Sequence, residues 1–216
     1  IYGSSIVTNG GDILAVADAG TAYGVLSQGP YAEAGNTGSV TATGVGRATG
    51  LAAYGIYGAS VDNGGTVVAN ASAGRAVALY AASYYGDADI ANSGTARANA
   101  TVGGALAAYA TSYNANATVD NSGLLAAVST SGSAIGAMAQ AYYGDALVTN
   151  SGDITASGLS ASIGAFAIGY NAGINNSGSV QVTGTGGQAF GLYAGALYDV
   201  DVVNDGSVSA TSTNGV

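Results

Sequence analysis

The amino-acid sequence predicts an all-β fold, a parallel β-helix of about eight coils with 26–29 residues per coil. Three observations carry this prediction. An Asn-x-Gly triplet begins at Asn9, Asn36, Asn63, Asn92, Asn121, Asn150, Asn176 and Asn204, at spacings of 27, 27, 29, 29, 29, 26 and 28 residues. A period in the range of roughly 20–50 residues is the signature of stacked repeats. Each repeat also divides into three strand-like parts. Finally, hydrophobic residues reach 48% and charged residues only 7%, a balance too apolar for a disordered chain. No run approaches the roughly 20 apolar residues of a spanning helix.

One repeat reads ATVDNSG, then LLAAVSTSGS, then AIGAMAQAYYGD; the next reads ALVTNSG, DITASGLS, ASIGAFAIGYNA. The first part is a short strand ending in the asparagine and a turn. The glycine two residues later is expected to supply a positive φ. The second part alternates. Val40 and Ala42, Ile154 and Ala156, Val180 and Val182, and Val208 and Ala210 share one parity; threonine, serine and glutamine take the other. Period two marks a half-buried strand.

The third part has two parities as well. Val77, Leu79 and Ala81, with Ile135, Ala137, Ala139 and Ile163, Ala165, Ala167, are expected to face inward. The outward parity carries two aromatic columns. One runs Tyr80, Tyr109, Met138, Phe166, Tyr193; the other runs Tyr84, Tyr113, Tyr142, Tyr170. Gly50, Gly136, Gly164 and Gly191 recur just ahead of the aromatic position, and mid-segment glycine weakens the competing short helix.

Three strands per repeat close into one coil, with each strand beside its equivalent one coil later, about 4.8 Å away. Eight coils then stack to roughly 38 Å. The asparagines would form a ladder of side-chain amides that satisfies polar groups buried at the turn. A leucine-rich repeat is the rival, but its leucine-dense pattern is missing. Residues 1–216 read as a single repeat domain. The absence of an initiator Met and of capping coils suggests a piece of a longer protein.

Charge and chemistry narrow the function. Arg47, Arg75 and Arg97 are the only cations against eleven aspartates and Glu33, a net charge of −9. That argues against nucleic acid and anionic membranes. Histidine, cysteine and lysine are absent, which removes the usual nucleophilic and imidazole-metal chemistries; neither a cofactor nor a metal is expected. Asp87, Asp89, Asp145, Asp199 and Asp201 follow the third strand. They read as solvated turn acids, because the glycine-rich calcium nonapeptide is missing, and no two are marked as a glycosidase pair. Arg47 and Arg75 fall at equivalent positions on adjacent coils. A nearby aspartate is the expected partner, an acidic sugar the alternative. The outward column Leu14, Thr41, Val68, Arg97, Ala126, Thr155, Gln181, Ser209 is too irregular to match an ice lattice. The sequons at Asn70, Asn99 and Asn116 are assigned no function.

The strings VDNSG, VTNSGDITASG and INNSGSVQVTG, alternating with GLAAYGIYG, VALYAASYYGD and GLYAGALYD, span the whole chain. They resemble the passenger repeats of bacterial autotransporters of the type V secretion system. The resemblance implies a right-handed β-helical stalk, exported to the bacterial cell surface and used for adhesion or self-association. No catalytic set of the family matches. The implied partners are a host or neighbouring-cell surface protein or glycan, or a second copy, without direct membrane insertion. The outward aromatic columns are the expected binding strip. A carbohydrate-binding or carbohydrate-active β-helix is the alternative, with ice binding less favoured.

Overall fold

The computed structural model describes residues 3–214; Ile1, Tyr2, Gly215 and Val216 lie outside the described residues. Those residues form twenty-one β-strands, all paired in parallel, with no helix. The chain winds as a three-sided solenoid. The Asn face holds strands such as Ala88–Asn92, Ala117–Asn121 and Ala146–Asn150. The alternating face holds Thr95–Ala100, Leu124–Ser129 and Asp153–Gly158. The aromatic face holds Ala76–Ser83, Ala105–Ser112 and Ala134–Ala141. In two early coils the aromatic and Asn faces run on as single long strands, Thr21–Asn36 and Arg47–Asn63. Seven coils are complete, and Val200–Asn204 with Ser207–Ser212 begin an eighth. The expected count of eight matches the eight asparagines, the last of which sits in this partial winding.

Each strand lies in register with its equivalents. Asn9 pairs with Asn36, Asn36 with Asn63, and the pairing continues to Asn176 with Asn204. The length variation is confined to corners. The 26-residue coil loses residues at two of them. Between Ala141 and Ala146 lie Tyr142–Asp145, but between Gly169 and Ala172 only Tyr170 and Asn171; likewise Thr130–Ser133 shorten to Leu159–Ala161. Corners absorb the difference because strand register is fixed by burial, and a one-residue slip would turn the core face outward.

The core is thin and continuous. Ile90, Val119, Val148 and Ile174 line the Asn face, and Val40, Val67, Leu125 and Ile154 the alternating face, all at most 1% exposed. Alanines complete it, including Ala81, Ala110, Ala139 and Ala167. Full burial of each branched residue contributes about 1.5–3 kcal/mol.

The asparagines are inside. Asn36 through Asn176 are at most 3% exposed. Each Nδ2 donates to the next coil's Asn Oδ1, from Asn9→Asn36 at 2.9 Å through Asn121→Asn150 at 2.7 Å to Asn176→Asn204 at 2.7 Å. The same Nδ2 also donates to the carbonyl two residues on, as Asn121 does to Gly123 at 3.1 Å. Both amide ends are thereby satisfied in the buried interior.

Two expectations are corrected. The glycine of Asn-x-Gly does not adopt a positive φ; among the described residues only Gly20 and Gly103 do. Its reason is space. A Cβ on Gly94 would lie 2.1 Å from the Gly65 carbonyl oxygen, and one on Gly123 2.1 Å from that of Gly94. Successive turns stack so closely that only hydrogen fits.

The inward parity of the third strand also breaks. Ile135 and Ile163 are half-exposed, between residues that point inward. Val77 is buried yet lies outside the hydrophobic core cluster. Each strand of this face turns two consecutive residues inward, such as Gly136 and Ala137, and inverts its alternation there. The first of the pair meets the opposite wall. A Cβ on Gly50 would lie 2.2 Å from Val67 Cγ1, and one on Gly136 2.2 Å from Ile154 Cγ2. A strict period-two reading hides such a doubled inward step.

Candidate functional site

The first aromatic column exists as expected. Tyr80, Tyr109, Met138, Phe166 and Tyr193 are in register on successive coils. Ring centroids lie 5.3 Å apart for Tyr80 and Tyr109 and 5.2 Å for Phe166 and Tyr193. Tyr54 joins its N-terminal end, edge-on to Tyr80 at 5.2 Å. Tyr109 Oη donates to Gln140 Oε1 at 2.8 Å. Apart from Tyr193 these side chains are only half-exposed. Thr49, Val77 and Leu106 form the neighbouring outward column of the same face and are buried.

The second column stands at the corner between the aromatic and Asn faces, and it is larger than expected. Tyr84, Tyr113 and Tyr142 follow one another, with centroids 5.0 and 5.6 Å apart. Tyr31, Tyr57 and Tyr85 extend it at 5.8 and 5.9 Å, and Tyr143 packs edge-on against Tyr113 at 5.3 Å. Tyr170 does not continue the stack from Tyr142. The shortened corner shifts it, and it packs on Tyr198 at 4.5 Å, with the two hydroxyls 3.2 Å apart. Tyr57 is half-buried, and the exposure of the others runs from 37% at Tyr170 to 64% at Tyr198. This tyrosine edge is thus the more exposed aromatic feature, while the first column is mostly half-buried. Tyr31, Tyr57, Tyr85, Tyr143 and Tyr198 were missing from the expected strip. The doubled YY at Tyr84–Tyr85 and Tyr142–Tyr143 was the available signal.

Next to this edge in the chain runs a second, exposed polar ladder. Asp87 Oδ1 accepts from the Asn116 N–H at 3.0 Å, and Asn116 Oδ1 from the Asp145 N–H at 3.0 Å. Asp145 Oδ1 accepts from Asn171, and Asn171 Oδ1 from the Asp199 N–H at 3.3 Å. Each side chain secures the next coil's turn. Asp and Asn alternate, so no two carboxylates are adjacent in the stack. Asp87 and Asp145, expected to be merely solvated, are in this respect structural.

A groove of about 330 Å³ opens beside the N-terminal part of the edge, lined among others by Tyr31, Tyr57, Glu33, Asp87 and Asp89. Burial raises the pKa of Asp89 above the usual carboxylate range. The Thr118 hydroxyl, which donates to it, opposes that shift; Asp87, Asp120 and Asp62 add to it.

The expectation of an aspartate beside Arg47 and Arg75 gives way to aromatic neighbours. The Arg47 guanidinium sits 5.9 Å from the Tyr80 ring centroid, and that of Arg75 5.2 Å from Tyr109. Burial lowers the pKa of Arg75 and raises those of Tyr80 and Tyr54. Such cation–π contacts contribute about 0.5–2 kcal/mol, more when desolvated.

On the alternating face the outward column from Leu14 to Ser209 forms in the expected order. Asn99 Nδ2 donates to Asn70 Oδ1 at 2.9 Å, a short surface ladder. Among the described residues no group of three or more acids could hold a metal ion, and no helix is long and apolar enough to cross a membrane. No family model, curated protein or solved structure matches the chain.

Proposed function

We propose that this chain is a stiff segment of an exported bacterial surface protein, and that its tyrosine edge mediates lateral self-association or adhesion to a neighbouring surface. The observation that carries the reading is the edge itself. Tyr84, Tyr85, Tyr113, Tyr142 and Tyr143 stand exposed in one continuous series of ring contacts. Tyrosine combines a rigid apolar face with a polar tip, which suits protein and glycan contacts. A repeated column presents the same chemistry at each coil, so two copies can meet along it many times over. The resemblance to autotransporter passenger repeats supports a location outside the cell. The lack of histidine, lysine and cysteine favours a structural role over an enzymatic one.

Replacing Tyr84, Tyr113, Tyr142 and Tyr143 together with serine should abolish concentration-dependent association in sedimentation experiments, or binding to cells, with the far-UV spectrum unchanged. Retained association would reject the reading. The groove lined by Tyr31, Tyr57, Glu33 and Asp89 favours a carbohydrate-binding alternative. In that case Tyr57→Ala should remove glycan binding while the four-serine variant keeps it.

A further inference from the structure

We propose that Arg47 and Arg75 form a site for an oxyanion, a sulfate or carboxylate group approaching from solvent on the aromatic face. The two residues occupy the same position on adjacent coils, since the Ala48 N–H donates to the Arg75 carbonyl at 3.1 Å. Their backbones are therefore about one inter-strand spacing apart, roughly 4.8 Å. The chain carries only three cations, and two of them are stacked together.

Their surroundings leave that charge uncompensated. Burial lowers the pKa of Arg75, and the titratable groups that act on it are Tyr109, Arg47, Tyr80 and Tyr54, none of them a carboxylate. Among the described residues, four buried side-chain polar atoms lack a hydrogen-bond partner: Arg47 Nε, Arg75 Nε, Thr49 Oγ1 and Ser162 Oγ. Three of the four lie at this one spot, where Arg47 and Thr49 alternate outward on the same strand. Two like charges side by side, each partly desolvated, are unfavourable unless an opposite charge is shared between them. Both arginines keep partial exposure although their Nε atoms are buried, which leaves each side chain open to a counter-ion from solvent. A bidentate fork matches the geometry of a sulfate or carboxylate.

The pair is also local. Features that hold the rod together, the Asn ladder and the stacked glycine turns, recur in coil after coil. The arginine position instead continues as Gly104, Ser133, Ala161 and Gln188. A cation pair confined to two coils marks a site rather than a repeat device. The inference is independent of the tyrosine edge, which lies at the far end of the same face.

The test titrates sodium sulfate into the intact chain at constant ionic strength held with chloride. Sulfate also stabilises proteins generally by exclusion from their surface, so saturation and a charge control decide. The expected result is a saturable rise in melting temperature at low millimolar sulfate. It should be weakened about tenfold or more in Arg75→Gln and Arg47→Gln. Arg97→Gln, which removes the same charge from the alternating face, should retain it. If the arginine variants fail to fold, the wild-type amide resonances of Ala48 and Ala76 should shift on titration while those of Ala98 stay fixed. Glucuronate and glucose 6-sulfate, compared with glucose, separate a carboxylate from a sulfate carrier; binding of either supports the site. No saturable response to any of the three anions, an equal response in Arg75→Gln, or unshifted Ala48 and Ala76 resonances would overturn it.

Discussion

At the asparagine position one side chain has two tasks. Asn121, 2% exposed, accepts from Asn92 above and donates to Asn150 below, at 2.8 and 2.7 Å. Asn121→Ala removes two ladder bonds and leaves a donor and an acceptor short of partners in the core. The expected cost is about 2–4 kcal/mol, from about 1–3 kcal/mol per orphaned buried group discounted for the surviving turn bond. Asn9→Ala, at a half-exposed end with a single ladder bond, should cost less than half as much; urea denaturation compares the two. Asp89 gives a pH-dependent counterpart. Its carboxylate is harder to ionise in the folded chain than in the unfolded one, so its ionised form is a penalty at neutral pH. That penalty disappears as pH falls through the raised folded value toward the ordinary carboxylate range. The melting temperature of the wild type should therefore rise on mild acidification more than that of Asp89→Asn. The two curves should differ most at neutral pH and converge in acid.

The strand and turn are the units in which these residues act. Gly94→Ala would force a Cβ to 2.1 Å from the Gly65 carbonyl oxygen. The turn would have to leave its stack, and a loss of about 3 kcal/mol or more is expected, as for other overpacked sites. Gly64→Ala is the control, since its Cβ would meet nothing closer than 3.7 Å, and thermal melts should show little change. This element scale is also where the sequence was informative and where it was not. The Asn-x-Gly spacing disclosed the coil, the three strands and the ladder, because a buried amide column leaves no freedom to change residue type. The alternating face was legible because one wall is core and the other water. The aromatic face departs from strict alternation at Val77, Ile135 and Ile163, because two consecutive inward residues invert the parity of what precedes them. Tyr170 packs on Tyr198 instead of Tyr142 because the shorter corner moves it, and corner geometry is not encoded in strand periodicity. The roles of Asp87 and Asp145 are not legible locally, because they accept from backbone N–H groups one coil away.

For the molecule as a whole, the cooperative unit is the coil and its two neighbours. Residues in the middle coils, such as Val148 and Ile154, are fully buried, whereas Val200, Val202 and Val208 in the last winding are 52, 45 and 39% exposed. In this 216-residue chain hydrogen exchange should be slowest for the amides of Val119 and Val148 and fastest for Val202 and Val208. Uniform protection along the axis would show instead that the rod opens only all at once.

The in-register stack has a genetic consequence. Three consecutive coils have the same 29-residue length, from Asn63 to Asn92, Asn121 and Asn150. A tandem duplication of residues 92–120 would present to each neighbour the same amide, the same glycine turn and the same walls already found there. Unequal recombination can thus lengthen such a rod by about 4.8 Å per added copy, with no new interface to be selected.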